Sequence, residues 1–171
     1  MLRERVDADH LEAHFGLDKD DVAVIKNGSL DDGLDSDLEE FKQFCVWAIS
    51  TNMANPINYE KFCDTVDVQS FMDYMAIETY INNNDWQSSG VNNWQVWRSK
   101  TVHSNIPEAN GKWRFILYDT DISAGLYGGE KNVANYDSLG NNGPKSQYYN
   151  FSAILKNLFS LTFDFWINPH L

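Results

Sequence analysis

The chain has 171 residues, 43% of them hydrophobic, with a formal net charge of −12 and two cysteines. That length supports one sizeable core or one lobe of something larger, and no apolar run approaches the ~18 residues needed to span a membrane. The negative charge argues against a nucleic-acid backbone or an anionic membrane surface as partner, and leaves room for cations and basic protein substrates.

The N-terminal run MLRERVDADHLEAHFG has neither the apolar centre of a signal peptide nor the composition of a transit peptide. Residues 8–15 read as a short helix, with Leu11, Ala13 and Phe15 available for burial and Gly16 to stop it. The stretch 18–37 is acidic and contains glycine, and reads as an exposed loop with a short strand at 22–25. Ser36 and Glu39 have capping-box spacing. The helix they open would bury Leu38, Phe41, Cys45 and Ala48 and be over by Pro56. A helical turn around 59–63, capped by Asn58, is expected next. Cys45 and Cys63 fit no metal-ligand spacing and read as buried, apolar-like thiols.

The clearest helix is predicted over 67–82, where Val68, Phe71, Met72, Met75, Ala76, Thr79 and Tyr80 recur at three- and four-residue steps and Asp67 caps the start. It gives way to the polar run Asn82-Asn83-Asn84-Asp85-Trp86. Residues 93–101 and 112–118 are rich in strand formers, and the segment between them holds Pro107 and Asn110-Gly111, so they predict an antiparallel hairpin. Trp113, Phe115 and Leu117 share one parity, which Asp119 and Asp121 continue where the strand should stop. Residues 123–146 read as a long irregular segment, and a last amphipathic helix is expected at 152–161. Asn27-Gly-Ser and Asn150-Phe-Ser are formal glycosylation triplets.

Two carboxylates at the end of a half-buried strand repel each other and call for a cation. The order of parts suggests which: an apolar helix, a polar loop with Asp85, asparagines at 92 and 93, a hairpin, then Asp119. Protein kinases present the same order in their C-lobe, because phosphoryl transfer needs a carboxylate near the accepting hydroxyl and oxygen ligands that hold Mg²⁺ against phosphates. Asp119, Asp121, Ser123 and Glu130 also fall at positions 1, 3, 5 and 12 of an EF-hand-type loop. Ala124 stands where that loop needs glycine, and a strand precedes it, so the calcium reading is set aside.

The combination LRERVD (2–7), FMDYMAIETYINNNDW (71–86), NNWQVWR (92–98) and GKWRFILYDTD (111–121) resembles the CotH family, the spore-coat-protein-H-like atypical kinases. The resemblance implies an α+β fold: the mainly helical C-lobe of a divergent kinase-like architecture with a small antiparallel hairpin at the active site. It implies ATP and Mg²⁺ (or Mn²⁺) as cofactors and phosphorylation of serine hydroxyls on a partner protein of the spore coat or cell surface. Carried over by position, Asp85 matches the catalytic-loop aspartate. Asn93, with Asn92 as its rival, matches the metal-binding asparagine. Asp119 matches the metal and nucleotide aspartate, with Asp121 as the second carboxylate. Trp97 and Arg98 match family positions and read as structural supports.

Gln87 stands where the family pattern has proline, and QSSGV intervenes before Asn92, which leaves the asparagine register open. LRERVD resembles a segment that follows the ATP-clasping N-lobe. Residues 1–171 are therefore expected to be a C-lobe fragment, with the phosphate-holding lysine upstream and further helices downstream. Such a fragment is expected to bind metal and ATP weakly and to be inactive as a kinase by itself. The alternative expectation is a non-catalytic kinase-like structural or binding module.

Overall fold

The computed structural model describes residues 5–83, 86, 92–124 and 148–167. Among these the elements run α1 (Ala8–Phe15), β1 (Val22–Lys26), β2 (Ser29–Asp32), α2 (Asp35–Ser50), α3 (Pro56–Thr65), α4 (Val68–Tyr80), β3 (Gln95–Ser99), β4 (Arg114–Ile116) and α5 (Phe151–Ile167). The class is α+β, as expected. The sheet is larger than the expected hairpin, with four antiparallel strands in the order β2-β1-β3-β4.

Of the added strands, β1 is the short strand expected at 22–25, and β2 comes from the acidic stretch read as an exposed loop. Val22, Ala23, Val24 and Ile25 are all buried, because β1 is an inner strand with side chains packed on both faces. Ala23 and Ile25 face the main core with Val96 and Phe115, whereas Val22 and Val24 join Leu11, Leu17 and Trp97 under α1. Asn27 and Gly28, both at positive φ, turn β1 back into β2.

Helix ends follow local chemistry. Asp7 accepts from the His10 N–H to start α1, and Gly16 at φ 70° ends it. The expected burial of Ala13 and Phe15 is corrected: Ala13 is exposed and Phe15 half-buried against Trp97, because Ala8 and Leu11 form the inward stripe. Helix α2 starts one residue before Ser36, and the Asp37 carboxylate, rather than Glu39, closes back on the Leu34 N–H at 2.9 Å. Helix α3 is a full helix rather than a turn, because Asn55 caps it and Pro56 occupies its first position, where a missing N–H costs nothing. Helix α5 runs beyond the expected end at 161.

The buried stripe of α4 is Phe71, Tyr74, Met75 and Glu78, rotated from the expected one. Tyr80 is 87% exposed and Ala76 is exposed, so hydrophobicity alone mis-set the helix by part of a turn. The register of α4 is set by its start. Asp67 caps the Ser70 N–H and pairs with Arg114 at 2.5 Å, and the Ser70 hydroxyl accepts from the Phe115 N–H at 2.8 Å. The Trp113 N–H donates to the Thr65 carbonyl and the Asp67 N–H donates back to Trp113, both at 2.9 Å. These contacts seal the outer edge of β4, and helix and strand then run side by side toward one end of the sheet.

Candidate functional site

The predicted hairpin is present, with Gln95 opposite Ile116, Val96 opposite Phe115 and Trp97 opposite Arg114. Strand β3 starts two residues after Asn93, and β4 stops three residues before Asp119. An antiparallel ladder with that register brings Asn93 and Asp119 to the same end, on strands about 4.8 Å apart. The parity argument that led to Asp119 is corrected. Leu117 is 44% exposed and the strand ends at Ile116, so Asp119 reaches its place by a turn rather than by continuing a buried face.

Asn93 and Asp119 both have left-handed backbone, at φ 56° and 52°. Non-glycine residues take that conformation at a cost, and asparagine and aspartate bear it most easily. Asn93 is 7% exposed, while Asn92 is half-buried and Asp121 exposed. Asp85 lies outside the described residues, as do Gln87 and most of the irregular segment read at 123–146. Trp86, beside Asp85 in sequence, is buried against Tyr74.

The C-terminal part of α4 holds this end of the sheet together. The Tyr74 hydroxyl donates to the Asn93 carbonyl at 3.4 Å. The Asn83 side-chain amide donates to the Asp119 carbonyl at 3.3 Å, and the Ala124 N–H donates to the Ile81 carbonyl at 2.7 Å. The 119–124 segment is thus pinned at both ends to residues 81–83, just after the end of α4. Glu78, on the buried stripe of α4, is 1% exposed. Neither of its carboxylate oxygens meets a donor at good hydrogen-bond geometry among the described residues. Burial pushes its pKa up to about 7, against the weaker pull of the Asn83 amide and the Tyr74 hydroxyl.

From the other side, the turn after β1 is fixed to the asparagine segment. The Asn27 N–H donates to the Trp94 carbonyl at 3.0 Å, and the Trp94 N–H donates to the Asn27 side-chain oxygen at 3.1 Å. The buried Gln95 amide donates to the Val6 carbonyl and ties the N-terminal segment to the same place. Lys26, Tyr118, Asp119 and Asp121 line one cleft of about 590 Å³, which Arg5 and Thr120 also border.

Trp97 and Arg98 lie away from the cleft mouth and pack structurally. The Arg98 guanidinium stacks 4.6 Å over Trp113 and bonds Asp37 and Glu40, each at 2.8 Å. Asp37 is driven up by burial, but the Arg98 charge and the Leu34 N–H outweigh that and hold it below the usual carboxylate value. Cys45 is buried with its thiol pKa raised by burial, whereas Cys63 is only half-buried.

Among the described residues no group of three or more His, Cys, Asp or Glu side chains is placed to hold a metal. The cleft is lined by two carboxylates, Asp119 and Asp121, and by Thr120, hard oxygen donors that suit Mg²⁺ or Mn²⁺ completed by substrate phosphates rather than a resident all-protein cage. The fold is α+β, and Asp119 and Asp121 follow the end of β4 at this cleft. The chain matches the CotH kinase protein family over residues 1–160, and it belongs to that family. No curated protein and no solved structure matches the chain.

Reading the sequence missed Lys26, Glu78 and Asn83. Glu78 carried a signal, a lone acid at three residues from Met75 and four from Tyr74 on one helical face. Asn83 and Lys26 carried none, since only the packing of α4 and the pairing of β1 with β3 bring them to the cleft.

Proposed function

We propose that this protein is an ATP- and divalent-metal-dependent kinase acting on serine hydroxyls of a partner protein, with its site at the Asn93–Asp119 end of the sheet. The observation that supports the reading is that shared end: two residues in left-handed backbone flank the open end of the β3–β4 hairpin, near the terminus of α4. Asp119, Asp121 and Asn93, or Asn92 in its place, would hold the cation. When bound, Mg²⁺ or Mn²⁺ supplies charge neutralisation for the transferred phosphoryl group. Asp85 is assigned, on family position, as the carboxylate that orients the accepting hydroxyl and takes its proton. A left-handed Asp119 held by Asn83 keeps its carboxylate at the cleft without rearrangement, which is how a positioned ligand contributes to rate. Family membership supports a spore-coat or surface protein as the partner substrate.

Manganese titration followed by electron paramagnetic resonance, with and without ATP, tests the reading alongside phosphate transfer to a serine-containing protein. The expected result is weak Mn²⁺ binding that ATP strengthens, and loss of that strengthening in Asp119→Ala. Identical binding by Asp119→Ala and the parent chain would overturn the site. Binding without transfer would leave a kinase-like binding module.

A further inference from the structure

We infer that Lys26, within this chain and apart from the lysine expected upstream, is a cation that receives the phosphates of a nucleotide in this cleft, an inference that rests on the kinase reading above. Register carries it first. Lys26 pairs with Gln95, and Gln95 pairs with Ile116, so the last residue of β1 reaches the same sheet end as Asn93 and Asp119. The cleft carries it second, because Lys26 lines the same cavity as Asp119 and Asp121.

The state of the ammonium carries it third. Its Nζ sits 4.3 Å from the centre of the Tyr118 ring, and no carboxylate partners it among the described residues. Arg5, which borders the same cleft, is instead paired with Asp31 at 2.5 Å and Asp7 at 3.4 Å. An aromatic face holds a lysine in place while leaving its charge and N–H donors available, which an ion pair would not. In a chain of net charge −12, a lysine that shares a cleft with two aspartates and has no ion pair among the described residues is positioned for an incoming anion.

Rigidity carries it fourth. The turn that follows Lys26 is bonded twice to Trp94, so the lysine is held in fixed relation to Asn93. A metal held by the aspartates on one side and an ammonium on the other would divide the charge of a polyphosphate between them.

The test is a binding series on the full chain with Mn²⁺ alone, then Mn²⁺ with ATP, ADP, AMP or tripolyphosphate, for the parent, Lys26→Gln and Lys26→Arg. In the parent, affinity should fall from ATP to ADP to AMP. Lys26→Gln should lower ATP and tripolyphosphate affinity by about tenfold or more, leave AMP nearly unchanged, and leave Mn²⁺ alone unchanged. Lys26→Arg keeps the charge and should retain most of the affinity, which separates loss of charge from loss of fold. If Lys26→Gln binds ATP like the parent, the lysine assignment falls and the kinase reading stands. If Lys26→Gln also loses Mn²⁺ alone, the lysine supports the fold and the inference falls. If the parent binds ATP no better than AMP or not at all, the kinase reading falls and takes this inference with it.

Discussion

The Asn83 side chain donates to the backbone carbonyl of Asp119 at 3.3 Å, across 36 positions of sequence. Asn83 is fully buried, so this bond is made away from solvent. It fixes the peptide next to a residue in left-handed conformation, and therefore the direction of the Asp119 carboxylate. Asn83→Ala should cost about 1 kcal/mol of stability, the usual net value of one hydrogen bond, and weaken Mn²⁺ binding several-fold. Asn83→Asp, which turns an acceptor toward the carbonyl, should do worse. Urea unfolding and Mn²⁺ titration of both variants check this, and unchanged Mn²⁺ affinity would confine Asn83 to a structural role.

Glu78 makes stability depend on pH. Unfolded, it ionises near 4.5; folded, near 7. Between those values the folded chain holds a proton that the unfolded chain has released, so raising the pH favours unfolding. The loss begins near 4.5, is complete a little above 7, and amounts to roughly 3 kcal/mol at about 1.4 kcal/mol per unit. Glu78→Gln has no proton to lose, so its advantage over the parent should grow across that window and level off beyond it. Denaturant unfolding of both proteins from acid to mildly alkaline pH measures the gap. Parallel curves would show that the buried acid is not the titrating group.

Arg98 should not tolerate lysine. Its two terminal nitrogens bond Glu40 at both oxygens and Asp37 at one, while its flat face covers Trp113. A lysine ammonium cannot form that fork or that stack. Arg98→Lys should cost about 2 kcal/mol, and Arg98→Ala roughly 3, since buried Asp37 is then left, among the described residues, with Lys100 at 3.9 Å as its remaining cation. Because Arg98 helps to lower the Asp37 pKa, part of this stability is present above the ordinary value of 3.8 and lost as pH falls through the folded value. Acid unfolding should therefore separate parent from variant less than unfolding at neutral pH.

Gly33 is predicted to be the less replaceable of two glycines. At φ 111° a Cβ there would sit 3.0 Å from the Ala23 Cβ and 3.1 Å from an Asp37 oxygen. Ala23 belongs to an inner strand and Asp37 is held by Arg98, so neither can move aside cheaply. Gly33→Ala should cost about 2 kcal/mol or more. Gly16, at φ 70° with nothing within 4 Å of the added carbon, should cost about 1 kcal/mol. Thermal melts of the two variants give the ranking, and a reversed order would contradict this packing.

What the sequence determined by itself were features written in short-range chemistry. Gly16 ends α1, Asp67 starts α4, and strand formers on either side of an Asn-Gly turn predict the β3–β4 hairpin, because caps and turns depend on neighbours a few residues away. The linked motifs around Asp85, Asn93 and Asp119 carried the family for the same reason. Only the tertiary structure decided what depends on long-range pairing. The short strand at 22–25 is legible between acidic stretches, but its burial as an inner strand is not, because β3 covers one edge and β2 the other only in the assembled sheet. Hydrophobic spacing makes α4 amphipathic, but the bonds from Asp67 and Ser70 to β4 choose which side chains turn inward, burying Glu78 and exposing Tyr80. Lys26 and Asn83 reach the Asp119 cleft by strand register and helix docking. No local pattern could assign them, because their proximity is created by contacts such as Asn83 with Asp119 and Lys26 with Gln95, 36 and 69 positions apart.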